Sequence, residues 1–297
     1  MRASRWAASK VGRLIGSRTF DFDRQVAVMA IINRTPDSFF DKGSTFALDA
    51  AVTAAQTAVT DGADWVDVGG VPFGTGPVVG LDEEIDRIVP LVQAIHASSD
   101  VVISVDTFNA QVARRSIQAG AAVINDTSGL WDPDMARVVA DSAATLVLTH
   151  SLNPPRSEPP SPHYDDVVGE VVAFLCDRVD RAVAAGVPLD RLIVDPGHDL
   201  NKNTLHTLEI TRRLEEIVAI GLPTLVAVSN KDFIGESLDR EQGFRQNGSL
   251  AAAVLCIMKG ARIVRMHDVP AAVDAVRMTE AILGFRKPVY TRHNMAG

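Results

Sequence analysis

Val101-Val102-Ile103-Ser104-Val105-Asp106 and, after a helix-like stretch closed by Gly120, Ala122-Val123-Ile124-Asn125-Asp126 form the unit that decides the fold. Each is a short apolar run, rich in β-branched residues, that ends on polar side chains. Such runs read as strands buried on both faces, as in a parallel sheet. Outward from this pair the unit recurs. Further strands are predicted at Val26–Ile32, Trp65–Val68, Thr145–Leu148, Leu192–Val194, Thr224–Val228 and Ile263–Met266, which makes eight with Val101–Val105 and Ala122–Ile124.

Helical periodicity fills the gaps. In Glu83–His96, the residues Ile85, Ile88, Val89, Val92 and Ile95 recur at three- and four-residue spacing, with a kink expected at Pro90. Gly62, Gly120, Gly186, Gly221 and Gly260 each precede a strand, where a helix ends in a left-handed residue. Eight alternating units predict an α/β chain closed into a single-domain (β/α)8 TIM barrel. The expected boundaries are a basic N-terminal tail over 1–20, the barrel over 21–285 and a C-terminal tail over 286–297. The tail holds Arg2, Arg5, Lys10, Arg13 and Arg18 with no acid, and lacks the apolar core of a signal peptide.

Composition excludes several classes. Net charge is −8 and the pI about 5.4, so a nucleic-acid partner is not expected. No apolar run approaches the ~20 residues that cross a bilayer. Cys176 and Cys256 read as small core residues of a reducing compartment, so a cytoplasmic location is expected.

Barrels of this kind place their chemistry at the C-terminal ends of the strands. Here the strands end in Asn33, Asp67, Asp106, Asn125 with Asp126, His150, Asp195, Ser229-Asn230-Lys231, and Arg265 with His267. Asp106, Asn125 and Asp195 suit a flat, nitrogen-rich heterocycle with several N–H donors, because buried carboxylates need such donors. Lys231 suits a ring carbonyl. Arg265 and His267 suit phosphate oxygens, and Asn33 a magnesium ion shared with them. No zinc spacing and no phosphate-cradling glycine loop occurs. His96, His163, His206 and His293 lie away from this rim and read as surface or structural.

Seven strings in order make the resemblance specific. Asn33-Arg-Thr-Pro-Asp-Ser-Phe39, Asp67-Val-Gly-Gly70, Ser104-Val-Asp-Thr107, Asn125-Asp-Thr-Ser-Gly129, Asp195-Pro-Gly197, Ser229-x-Lys-x-Phe-Ile-Gly235 and Arg265-Met-His-Asp-Val269 resemble dihydropteroate synthase, over about Val26 to Leu283. That family joins a dihydropterin pyrophosphate to p-aminobenzoate and is the target of sulfonamides and sulfones. The resemblance implies a pterin held by Asp106, Asn125, Asp195 and Lys231. It implies a pyrophosphate held by Arg265, His267 and Asn33 with Mg2+, Asn33 being the metal contact. It also implies a p-aminobenzoate site with Thr35, Pro36 and Ser229, closed by the loops at 34–43 and 71–77. A homodimer through late helices is implied as well, for which Leu250–Met258 and Ala271–Leu283 supply apolar faces.

The departures fall on the loops. The family usually reads Gly-Gly-Glu-Ser-Thr-Arg-Pro-Gly after strand two; this chain reads Gly69-Gly70-Val71-Pro72-Phe73-Gly74-Thr75-Gly76. After strand seven the family's Ser-Arg-Lys-Ser-Phe becomes Ser229-Asn230-Lys231-Asp232-Phe233, and after strand six its Gly-Ile-Gly-Phe-Gly-Lys becomes Gly197-His198-Asp199-Leu200-Asn201-Lys202. After strand five its His-Met-Gln-Gly becomes His150-Ser151-Leu152-Asn153. Two arginines are lost and two acids gained. At roughly 1.5–3 kcal/mol per desolvated charge-assisted contact, affinity or rate falls by about two to four decades. The favoured reading is a homologue with weak or no synthase activity. A working synthase is the alternative if Arg34, Lys42, Arg156 or Lys202 compensates. Another pterin-dependent transferase, or a non-enzymatic pterin-binding protein, is a third reading; retained Arg265 and His267 argue against the transferase.

Overall fold

The computed structural model describes residues 12–34, 47–72, 74–158 and 161–294. Eight parallel strands form one sheet: β3 (Ala27–Asn33), β4 (Trp65–Gly69), β5 (Val102–Asp106), β6 (Val123–Asp126), β7 (Thr145–Thr149), β8 (Leu192–Asp195), β9 (Leu225–Val226) and β10 (Ile263–Met266). They pair in the order β8-β7-β6-β5-β4-β3-β10-β9. A bridge between Val194 and Thr224, with Val194 N donating to Pro223 O at 3.0 Å, brings the two ends together. The barrel expected from the sequence is therefore present. The seventh strand is shorter than expected: regular pairing covers Leu225–Val226 alone, within the predicted 224–228.

The layer around it consists of α1 (Leu48–Thr60), α2 (Leu81–Ser98), α3 (Ala110–Ala119), α4 (Met135–Ala140), α5 (Val167–Ala184), α6 (Thr204–Arg212), α7 (Leu214–Val218), α8 (Asp232–Leu238), α9 (Gln246–Met258) and α10 (Val269–Ile282). Pro90 lies inside α2, which continues through it. The five glycines read as helix ends all have positive φ, from 95° at Gly221 to 119° at Gly120. Cys176 and Cys256 are free thiols.

Two cores follow from the period-2 alternation of the strands. Residues facing outward, such as Val66, Val68, Ile103, Val105, Leu146 and Leu148, pack under the helices. Those facing inward low in the barrel, such as Met29, Trp65, Val102, Val123, Ile193 and Ile263, fill its interior. The same parity carried one step higher puts Asp67, Ser104, Asn125 and Arg265 inside the barrel, and Asp106 and Asp195 at its mouth.

The N-terminal segment departs from the expected tail. Residues 13–20 form an antiparallel hairpin, β1 (Arg13–Ile15) and β2 (Arg18–Phe20). Ile15 and Phe20 are buried with the inner core, and Phe20 meets Trp65 edge-on at 5.6 Å. Two of the segment's basic residues, Arg13 and Arg18, serve as anchors. Arg13 donates to Leu192 O at 2.8 Å, and Arg18 pairs with Asp64 at 3.2 Å. The physical reason is the open lower end of the barrel, which an apolar plug must cover.

Candidate functional site

Parity delivers the site. Asp67 is fully buried inside the barrel, where Arg265 Nε reaches Asp67 Oδ2 at 2.6 Å. Ser104 Oγ donates to Asp67 Oδ1 at 2.6 Å and Asn125 Nδ2 to Asp67 Oδ2 at 3.1 Å. The same guanidinium reaches Asp106 Oδ2 at 3.3 Å through Nη2. Thr127 Oγ1 donates to Asp106 Oδ1 at 3.1 Å. Arg265 thus clasps two carboxylates, and its pKa is raised: desolvation lowers it, but Asp67 and Asp106 outweigh that. The sequence had marked Asp67 only as a strand end. Its position two residues beyond inward-facing Trp65 was the signal that it too faces inward.

Burial unbalances the other groups. Desolvation pushes Asp106 up to about 6, helped by Asp67, and Asp195 also to about 6. Lys231 is lowered by desolvation, against the pull of Asp199. Asp106, Asp195 and Arg265 all act electrostatically on Lys231, so four of the expected residues share one neighbourhood. Asn125 Oδ1 is buried and without a partner among the described residues. So are Thr149 Oγ1 at the end of β7 and both ring nitrogens of His198. The Asn125 oxygen is an acceptor that lacks a donor, and Asp106 and Asp195 are carboxylates whose charge burial penalises.

The remaining expected residues are placed differently. Ser229 Oγ lies 2.9 Å from His267 Nδ1 and accepts from His267 N at 3.2 Å, which ties a residue expected at the p-aminobenzoate loop to one expected at pyrophosphate. Asn33 ends β3, with its Oδ1 close over Gly69. Thr35, Pro36 and Lys42 lie outside the described residues. No group of three His, Cys, Asp or Glu able to hold a metal occurs among the described residues. Asn33 carries one side-chain oxygen, and the acids Asp67 and Asp106 are clasped by Arg265.

The three candidate compensating cations among the described residues, Arg34, Arg156 and Lys202, donate to backbone carbonyls. Arg156 follows β7, yet its Nη1 donates to Pro72 O at 2.6 Å and Gly74 O at 2.7 Å, and its Nε to Pro77 O at 3.3 Å. These carbonyls belong to the loop after β4, three strands away. Arg34 donates to Asp86 O and Arg87 O. Lys202 donates to Gly197 O at 2.9 Å and Leu200 O at 2.8 Å, and lies 2.8 Å from His150 Nδ1. Burial drops Lys202 to about 7 and His150 to about 2. No sequence signal pointed to the Arg156 contacts, because they join segments 79 or more residues apart.

The gained acids are also accounted for. Asp232 pairs with Arg245 at 2.7 Å, so the extra negative charge expected beside the anion site is answered locally. Asp199 accepts from Phe233 N at 3.2 Å, at the start of α8, and from Thr207 Oγ1. Asp199 and Asn201 have φ of 63° and 52°, the left-handed region that Asp and Asn tolerate best after glycine. The loop therefore keeps a glycine-like backbone where glycines were replaced. Gly197 is retained because a Cβ there would lie 2.2 Å from His150 O.

The comparisons agree with this geometry. The family described as pterin binding enzyme matches residues 29–267. "Inactive dihydropteroate synthase 2" of Mycobacterium leprae is 44% identical over 92% of this chain and 96% of its own length. "Dihydropteroate synthase" of Escherichia coli is 38% identical over 88% of this chain and 93% of its own. The Yersinia pestis dihydropteroate synthase, solved with a sulfonamide drug complex, superposes with TM-score 0.88 at 37% identity, covering 93% of this chain and all of that one. The Xanthomonas albilineans enzyme with 4-aminobenzoic acid gives 0.85 at 38%, over 92% and 98%. A barrel with these inward polar residues, matched along nine-tenths of its length by synthases and by a relative named as inactive, belongs to the dihydropteroate synthase family as a divergent paralogue.

Proposed function

We propose that this chain binds a pterin-like ligand in the barrel mouth and carries out the synthase reaction weakly or not at all. The observation that carries the reading is how the cations are engaged. Gly74 and Asn230 stand where the family resemblance expects arginines. Arg34, Arg156 and Lys202 are held by backbone carbonyls, and Arg265 by two carboxylates. The synthase reaction expels a pyrophosphate, and its barrier falls when fixed positive groups meet the charge that develops. Here the Arg265 charge is already shared between Asp67 and Asp106. His267 and Asn33 are the other residues proposed for that anion, with Mg2+ brought by the phosphates. Among the described residues no cluster of acids stands ready to hold that ion.

The pterin half rests on the acceptors. Asp106 and Asp195, desolvated, and Asn125 with its unpartnered Oδ1 fit the N–H groups of a pteridine edge, and Lys231 its ring carbonyl. Ser229, with Thr35 and Pro36, would border p-aminobenzoate. The relative named as inactive supports loss of turnover, and the synthases solved with pterin-type and 4-aminobenzoic ligands support retention of the floor.

A homodimer is proposed through α9 and α10, which pack together and expose Leu255, Met258, Met278 and Ile282, each 45% or more accessible. No described helix is long and apolar enough to cross a membrane. A cytoplasmic location is proposed with it, from the free thiols.

Isothermal titration with the dihydropterin pyrophosphate and magnesium, followed by pyrophosphate release with p-aminobenzoate, tests the reading. Binding of the bare pterin with no turnover is the expected result. Micromolar pyrophosphate binding with turnover would sink it.

A further inference from the structure

A second cavity, of about 420 Å³, opens beside the barrel mouth between the loops after β6 and β7 and the helix α5. Its walls include Trp131, Leu152, Phe174, Ser151, Arg178 and Arg181, and none of its lining residues is acidic. Trp131 and Leu152 are 56% and 50% exposed, a pair of apolar side chains left facing solvent in a cavity that also holds two cations. The Arg178 guanidinium lies 4.1 Å over the Phe174 ring. Gly129 lets the β6 loop close against that ring: a Cβ there, at φ 67°, would lie 2.7 Å from both Phe174 and Thr149 O.

Two like charges meet at the cavity. Arg178 donates to Gly129 O at 2.6 Å and pairs with Asp177. Arg181 donates to Leu130 O at 3.3 Å, a long bond for a group with five donors. Desolvation lowers the Arg178 pKa first, and the neighbouring positive charge of Arg181 lowers it further. Asp126 is buried and accepts from Ser128 N, Ser128 Oγ and Leu130 N. Asp177 and Asp126 offset part of the Arg178 charge, and Arg181 repels it. A monoanion would relieve the repulsion between the guanidiniums, and flat aromatic walls suit a flat aromatic body.

We propose that this cavity is a second binding site, separate from the pterin floor, for a planar aromatic carboxylate. Its volume lies in the range of small-molecule sites and accommodates a two-ring acid. Phe174 also packs on His150, at 4.7 Å between ring centroids, so the cavity shares a wall with the barrel mouth. The carboxylate would sit on Arg181 and the free edge of Arg178, with the ring between Trp131 and Leu152.

Titration of the full chain with 2-naphthoate, with 2-naphthamide as the uncharged control, tests this. The acid should bind with a Kd on the order of 0.1 mM and quench the fluorescence of Trp131. The amide, and the acid against Arg181→Ala, should bind at least about tenfold more weakly. Arg181→Gln, which keeps the stem, should lose the same factor, and the quench should vanish in Trp131→Phe. Saturating 6-hydroxymethylpterin should leave the acid's affinity unchanged. Equal binding of acid and amide, no binding at millimolar acid, or displacement by the pterin would overturn the proposal; displacement would place the probe in the barrel mouth instead.

Discussion

Asp67 joins Arg265, Ser104 and Asn125 while fully buried. Replacing it with alanine leaves the Arg265 charge with Asp106 alone. Breaking a buried pair on one side costs about 3–5 kcal/mol, so Asp67→Ala should lower the denaturation midpoint by that amount of stability. Chemical denaturation at pH 7 checks this; a loss below 1 kcal/mol would show that Asp106 replaces the missing partner. The pH dependence of binding is set at the same scale. Asp106 and Asp195 titrate near 6 in the empty barrel because burial penalises their charge. A ligand that donates N–H groups to them favours the ionised forms and lowers both values. Proton release then accompanies binding below about pH 6, and pterin affinity should fall as pH drops from 7 to 5, by up to about tenfold per unit for each group. Calorimetry in buffers of different ionisation enthalpy reads the released protons directly. A flat profile would mean these carboxylates do not meet the ligand.

Between elements, Arg156 ties the loop after β7 to the loop after β4 by three donations to backbone carbonyls. The β5 and β6 ends, with Asp106 and Asn125, lie between those strands in the sheet order. Arg156→Ala should raise hydrogen exchange across 71–80 while leaving the strands protected, with a cost of about 1–3 kcal/mol for the carbonyls left behind. Unchanged exchange there would show the loop to be held by other contacts. At the other end of the barrel, the hairpin's Phe20 is buried against Trp65. Phe20→Ala should cost about 3–5 kcal/mol, as for a large buried aromatic. A truncation starting at residue 21 should be less stable still, whereas a loose tail would have been dispensable.

For the whole molecule, the apolar face on α9 and α10 bears on assembly. Leu255, Met258, Met278 and Ile282 are too many large apolar side chains for an isolated helix pair in water. Leu255→Glu with Met278→Glu should shift the species seen by light scattering from dimer to monomer without loss of secondary structure. A wild-type chain already monomeric at micromolar concentration would refute the proposed dimer.

The barrel, its strand order and the inward Asp106, Asn125, Asp195 and Arg265 were legible because period-2 alternation and helix-ending glycines are local properties that the sequence writes directly. The family was legible for the same reason: its strings are short and sit at strand ends. What the cations do was not legible. Whether Arg156, Arg34 and Lys202 meet an anion or a backbone carbonyl depends on side chains reaching across as many as 84 residues of chain. The hairpin plug escaped because three-residue strands carry too little periodicity, and their burial depends on a barrel floor built by residues far along the chain. The sequence by itself determined the fold and the inventory of polar groups. Tertiary packing decided which of those groups are already satisfied, since a charge is committed only by the partners that folding brings within a few ångströms of it.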